Sequence, residues 1–149
     1  MGGQQTTYLS RLEIARFRGK MKTSGRKALQ RRTLRSLLAQ PSVECHHSVY
    51  VVLLQPAAKR LRLVRAANPG RDPAKPCVYV GMTGLTPEAR FVNHQRSIKA
   101  AAVVTRYGVR LMTELYAHLN PMPFEAAVQM EQDLAADLRR AGYTVTGGH

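Results

Sequence analysis

Five side chains in this sequence have the types and the spacing to do chemistry together: Tyr50, Tyr79, Arg90, His94 and Glu131. Tyr79 sits in the run from Cys77 to Met82, whose β-branched and aromatic residues predict a short buried strand. Tyr50 belongs to a second apolar run, from Val49 to Leu54. Thr86-Pro87-Glu88 then reads as a helix start: a hydroxyl cap, proline at the first helical position and an acid at the positive end of the dipole. Arg90 and His94, four apart on that helix, project from one face, so a tyrosine, an arginine and a histidine converge on one small volume. An arginine there can grip a phosphate or pair with a surface acid, and an imidazole can move a proton near neutrality. Glu131 falls in register with Ala127, Leu134 and Leu138 on a core-facing stripe. A carboxylate on such a line costs several kcal/mol unless it is paired, with Arg90 for example, or holds a metal.

Taken in order, these residues resemble the motifs of the GIY-YIG nuclease superfamily. Ser48-Val49-Tyr50 and Tyr79-Val80-Gly81 are similar to its paired tripeptides. Arg90 and Glu131 fall where the family places its arginine and its metal-binding glutamate, and His94 where some restriction-enzyme members place a histidine. The resemblance covers Ser48 to His149. It implies a small α/β fold, a three-stranded antiparallel sheet flanked by helices, and a Mg²⁺-dependent endonuclease that hydrolyses phosphodiester bonds of DNA or RNA. Under it Arg90 holds the scissile phosphate, one tyrosine assisted by its neighbour or by His94 deprotonates the attacking water, and Mg²⁺ binds Glu131 and the leaving 3′ oxygen. Three positions depart from the pattern. Ser48 replaces a glycine, Met82 stands where a lysine often follows the second tripeptide, and the asparagine beyond the glutamate helix is missing, with Tyr143 and Thr144 in that region and His149 a candidate substitute. The last two favour the alternative, a catalytically inactive nucleic-acid-binding protein such as an RNA-binding subunit of a ribosome or another ribonucleoprotein.

The elements that must position these residues divide the chain in two. Of its 149 residues, with a formal charge of +14, residues 1–40 hold ten Lys or Arg against Glu13 alone. A basic arm over 1–41 therefore precedes a mildly charged domain over 42–149, large enough to bury a core without staples. Within the arm, Ser24 to Gln40 reads as a basic helix carrying Arg26, Lys27, Arg31, Arg32 and Arg35 beside a partial leucine stripe. Such an arm suits nucleic-acid phosphates better than a membrane surface, because it lacks Trp and hydrophobic bulk. The N-terminus has no apolar signal core and no run approaches the roughly 20 apolar residues that span a bilayer. The expected location is cytoplasmic, on a nucleoid or ribonucleoprotein, with organellar import as the alternative that an Arg-, Ser- and Thr-rich arm leaves open.

Connecting segments are legible to different degrees. Lys59 to Arg65 alternates and predicts a short edge strand, followed by turn chemistry over Asn68 to Pro73. Gly84 is expected to take a positive φ in the turn after the second strand. The helix from Thr86 should run to about Ala100, or on to Gly108. Residues 109–119 carry no firm pattern, Asn120 to Pro123 is a stiff break, and a helix from Pro123 ends at a Gly142 cap ahead of a last strand over Tyr143 to Thr146. His46 and His47, being adjacent, point to opposite sides of a strand and make no metal site. Cys45 and Cys77, without ligand spacing, read as reduced thiols of a reducing compartment.

Overall fold

The computed structural model describes residues 44–149. The expected arm helix, with Arg26, Lys27, Arg31, Arg32 and Arg35, lies outside the described residues. The described chain is α/β, with strands β1 (Ser48–Leu54), β2 (Cys77–Thr83), β3 (Gly108–Leu111) and β4 (Thr144–Gly147). Its α-helices are α1 (Arg62–Ala67), α2 (Pro87–Gln95), α3 (Ala102–Tyr107) and α4 (Phe124–Arg140). β1 reads SVYVVLL without polar alternation because both faces of the sheet are covered there, and every residue but Leu53 is buried.

The two tyrosine strands are antiparallel neighbours as expected, with Tyr50 opposite Gly81 and Val52 opposite Tyr79. β3 flanks β1 on its other side, also antiparallel, with a register shift between Leu53 and Leu54. The expected three-stranded antiparallel sheet needs correction. Four strands in the order β3-β1-β2-β4 make a mixed sheet, since β4 runs parallel to β2. A parallel neighbour requires a crossover, and α4 supplies the last leg of one.

Two local expectations also fail, each for a physical reason. Lys59 to Arg65 is not a strand but a 3₁₀ turn (Pro56–Arg60) leading into α1. Its inward residues are Ala58, Leu61 and Val64, a spacing of three that suits a helical path, and the β2 edge it would have joined is occupied by β4. The Thr86 helix stops at Gln95, because Ser97 (φ 59°) and Lys99 (φ 45°) turn the backbone into the left-handed region before α3 begins. Gly84 is not among the residues with positive φ, whereas Gly142, at +96°, closes α4 as expected.

Two asparagines act as substitute strands. Val49 N–H donates to Asn120 Oδ1 at 2.9 Å and Asn120 Nδ2 donates to Val49 O at 2.7 Å, pairing β1 before β3 reaches it. On the outer edge of the sheet, Val145 N–H donates to Asn68 Oδ1 at 2.8 Å. Asn68 Nδ2 donates to Val145 O at 2.8 Å and to Val64 O at 2.7 Å, which seals the edge of β4 to α1. Among the described residues no helix is long and apolar enough to cross a membrane. Asn68→Ala should strand the Val145 N–H, leave Val145 O to Arg139 Nη2 at 3.3 Å, and cost about 1–3 kcal/mol. Urea unfolding would register this as a lower midpoint at unchanged slope. A shift within error of zero would mean that the side chain does not seal the edge.

Candidate functional site

The five side chains singled out from sequence meet at one face of the sheet. Thr86 Oγ1 caps α2 by accepting the Ala89 N–H at 3.1 Å, which starts the helix where Arg90 and His94 both turn toward the tyrosines. The rings of Tyr50, Tyr79 and His94 form a triangle, with centroids 6.1 Å apart for the tyrosine pair and 5.9 and 5.8 Å from Tyr50 and Tyr79 to His94. Gly81 makes that triangle feasible. A Cβ there would lie 2.6 Å from Tyr50 Oη and 2.9 Å from Tyr79 Cε1. On the far side of the Tyr79 ring, a Cβ on Gly147 would lie 2.9 Å from Cε2. Tyr79 is thus held between two glycines. A glycine inside a strand signals such close approach, so the YVG triplet carried a spatial clue that its tyrosine overshadowed.

His94 is fully buried, and its two nitrogens have different partners. The backbone N–H of Ala101 donates to Nδ1 at 3.1 Å, so that nitrogen carries no proton, and Nε2 faces Tyr50 Oη at 2.8 Å. A neutral ring with an occupied Nδ1 lone pair must carry its hydrogen on Nε2 and donate it to the tyrosine. Burial, reinforced by the Arg90 charge, lowers the His94 pKa to about 4, which keeps the ring neutral. At neutral pH His94 therefore has no free basic nitrogen.

Arg90 is half-buried, and its Nη2 donates to Lys99 O at 2.8 Å. That bond ties the guanidinium to the same left-handed loop that presents Ala101 to His94. Burial and the proximity of Tyr79 push the Tyr50 pKa up, while Arg90, by hydrogen bond and charge, pulls it down. Tyr79 is also raised by burial and by the charge of Glu131, against the Tyr50 hydrogen bond and Arg90, which lower it. The Tyr50 oxygen accepts from His94 Nε2, with the Arg90 guanidinium and the Tyr79 hydroxyl close enough to act on its ionisation.

Glu131 lies on the buried stripe of α4, 6% exposed among Ala127, Leu134 and Leu138. The ion pairs among the described residues do not include it, so the expected structural pairing with Arg90 is absent. Burial raises its pKa from 4.5 to about 7, and the backbone N–H groups of Gly148 and His149 offset part of that rise. The segment where the sequence lacks the expected asparagine thus brings main-chain N–H groups near the carboxylate, although the Gly148 N–H itself donates to Val80 O at 3.0 Å. Among the described residues no three His, Cys, Asp or Glu side chains gather into a metal cluster. A lone buried carboxylate without a cationic neighbour still fits a hydrated divalent ion, which is commonly held by one or two carboxylates. His46 bonds Glu44 at 2.9 Å while His47 stacks edge-on against Phe124, so the pair diverges as expected. Cys45 and Cys77 are not joined by a disulfide. No family model matches the chain, and neither a curated protein nor a solved structure matches it.

Two outcomes follow from the proton positions. Nitrogen-15 NMR should place His94 Nε2 in the protonated and Nδ1 in the unprotonated class from neutrality down to about pH 5, with titration only near 4. The opposite tautomer would remove the donor role. For Glu131 the folded value lies above the unfolded one, so its contribution is intact below pH 4.5 and is lost as pH rises through about 7. In chelator at pH 8, Glu131→Gln should therefore be more stable than wild type, by up to roughly 3 kcal/mol, with the gain vanishing near pH 4.5. Mg²⁺ should raise the melting temperature of wild type alone.

Proposed function

We propose that this protein is a divalent-metal-dependent endonuclease of the GIY-YIG type that hydrolyses phosphodiester bonds in DNA or RNA. The observation that carries the reading is the meeting of Arg90, unpaired with any acid among the described residues, with two tyrosines, a neutral histidine and the buried Glu131 carboxylate. A purely structural cluster has no need of a buried carboxylate that no cation among the described residues neutralises. An α/β fold with one sheet flanked by helices supports the reading at that coarse level.

The geometry suggests a division of labour. Arg90 holds a non-bridging oxygen of the phosphate through guanidinium N–H groups that Lys99 leaves free. Charge gathering on the phosphoryl oxygens then meets a fixed donor in a half-buried setting, where such stabilisation is strongest. Tyr79 is less buried than Tyr50 and lies beside it at the end of the chain Ala101 to His94 to Tyr50. To take a proton from water it must first give up its own to solvent; burial and the Glu131 charge oppose that phenolate, while Tyr50 and the Arg90 charge favour it. Tyr50 and His94 position it. A Mg²⁺ ion on Glu131 would supply charge to the leaving 3′ oxygen.

The second reading, a nucleic-acid binder without cleavage, is favoured by Met82, which occupies the place of the lysine in the resembled pattern. One assay separates the two. Labelled single-stranded, duplex and branched DNA, and RNA, are incubated with Mg²⁺ or chelator. Wild type should cut in Mg²⁺ alone. Glu131→Gln and Arg90→Gln should lose about 10²–10³-fold in rate while binding persists. Tyr79→Phe should lose at least as much as Tyr50→Phe, by about 10²–10⁴-fold. Salt-sensitive binding with no cutting of any substrate by wild type would establish the second reading instead.

A further inference from the structure

Outside the tyrosine cluster, charge is concentrated where the chain leaves the sheet after Leu54 and returns at Cys77. The segment 55–76 holds six Lys or Arg against Asp72 alone. It is firmly mounted. Ala58, Val64 and Asn68 are buried, and Asn68 is bonded to β4. Lys59 Nζ donates to Pro73 O at 3.1 Å and Arg71 Nη1 to Asn68 O at 3.0 Å, which holds both cations in place without neutralising them. Asp72 N–H donates to Gly142 O at 2.7 Å and so brings the end of α4, with Arg139 and Arg140, beside the segment. Arg60, Arg62 and Arg65 are exposed, and no side-chain hydrogen bond or ion pair engages them among the described residues. Leu63, 83% exposed, lies between them.

We propose that this surface is a second nucleic-acid contact, with Arg60, Arg62 and Arg65 gripping the sugar–phosphate backbone away from the cut. The proposal rests on the reading of the site as one that acts on nucleic acid. Phosphate is the matching partner because the planar guanidinium fork pairs with it bidentately. Three unpaired arginines on one rigid mount answer a regular array of charges better than a single anion. A lipid surface is the weaker match, since Leu63 alone offers apolar bulk there. Leu54 lies four residues along β1 from Tyr50, about 13 Å at strand rise. That span equals about four base-pair steps. A substrate seated on Arg90 and running along β1 would reach the start of this segment, and contacts of this kind set position and affinity without reading bases.

The test uses the full chain and the combined variant Arg60→Gln/Arg62→Gln/Arg65→Gln, with circular dichroism to confirm its fold. Anisotropy of a short labelled duplex is followed across a salt series in chelator, so that the arm contributes equally to both proteins. The variant should bind about 10–100-fold more weakly near physiological salt, and its slope of log K against log salt should be shallower by about 2–3, near 0.9 per lost phosphate contact. If wild type cuts, the variant should show a raised KM at unchanged kcat. Affinity and slope within twofold of wild type would overturn the proposal. So would retained duplex binding accompanied by lost binding to phosphatidylserine-containing vesicles, which would identify a membrane contact. A changed slope in a protein that never cuts would leave this surface standing and refute only the catalytic reading. Cutting with an unchanged slope would do the reverse.

Discussion

The amide of Ala101 donates to His94 Nδ1, and through that bond the imidazole can present only an N–H to Tyr50. The bond exists because the helix bearing His94 is cut short. Ser97 and Lys99 adopt φ values of 59° and 45°, a conformation that costs non-glycine residues of order 1 kcal/mol each or more. The strained turn lets the chain fold back over α2. Lys99 O takes an Arg90 N–H and Thr105 Oγ1 donates to His94 O at 2.8 Å, so one loop fixes both functional residues of the helix. A helix continued to Ala100 would have spent the same backbone groups on its own ladder and left His94 free to choose its tautomer.

Space is the second constraint. Three rings and a guanidinium share the face of a sheet at a place where ordinary side chains would exclude them. Gly81 and Gly147 remove the obstruction on either side of Tyr79, and Tyr50 crosses over the first of them. The added strand β4 matters here as well, because it carries Gly147 to the second side and brings the Gly148 and His149 amides to Glu131. Those amides offset only part of the desolvation, so the carboxylate remains short of positive charge. The same shortage would attract a cation.

Much of this arrangement was legible in the sequence, and the parts that were not have a common cause. Tyr50, Tyr79, Arg90 and His94 could be brought together because local signals, two apolar runs and a capped helix, fixed their directions. Glu131 could be placed because a 3.6-residue period puts it in register with Leu134 and Leu138. The parallel pairing of β4 could not be read, since Thr144 to Gly147 looks the same beside any strand and its partner is chosen by where α4 delivers it. Lys59 to Arg65 misled because alternation and a spacing of three coincide over so short a stretch. Ala101 was invisible because its contribution is a main-chain N–H, which no side-chain pattern reports. The tautomer of His94, and with it the distinction between base and donor, therefore had to come from the folded geometry.

On the proposed function, charge would order the path of a nucleic-acid substrate across the protein. The arm, with ten basic residues against one acid, provides attraction at a distance, where only net charge is felt. The arginines after β1 act at shorter range, on a segment locked to β4 by Asn68. Arg90 acts last and on one phosphate, because its position is set by a single carbonyl. Each stage would replace diffuse attraction with more exact placement. On this physical account the protein would distinguish substrates by backbone shape and strandedness, since phosphate spacing is what its fixed cations can measure.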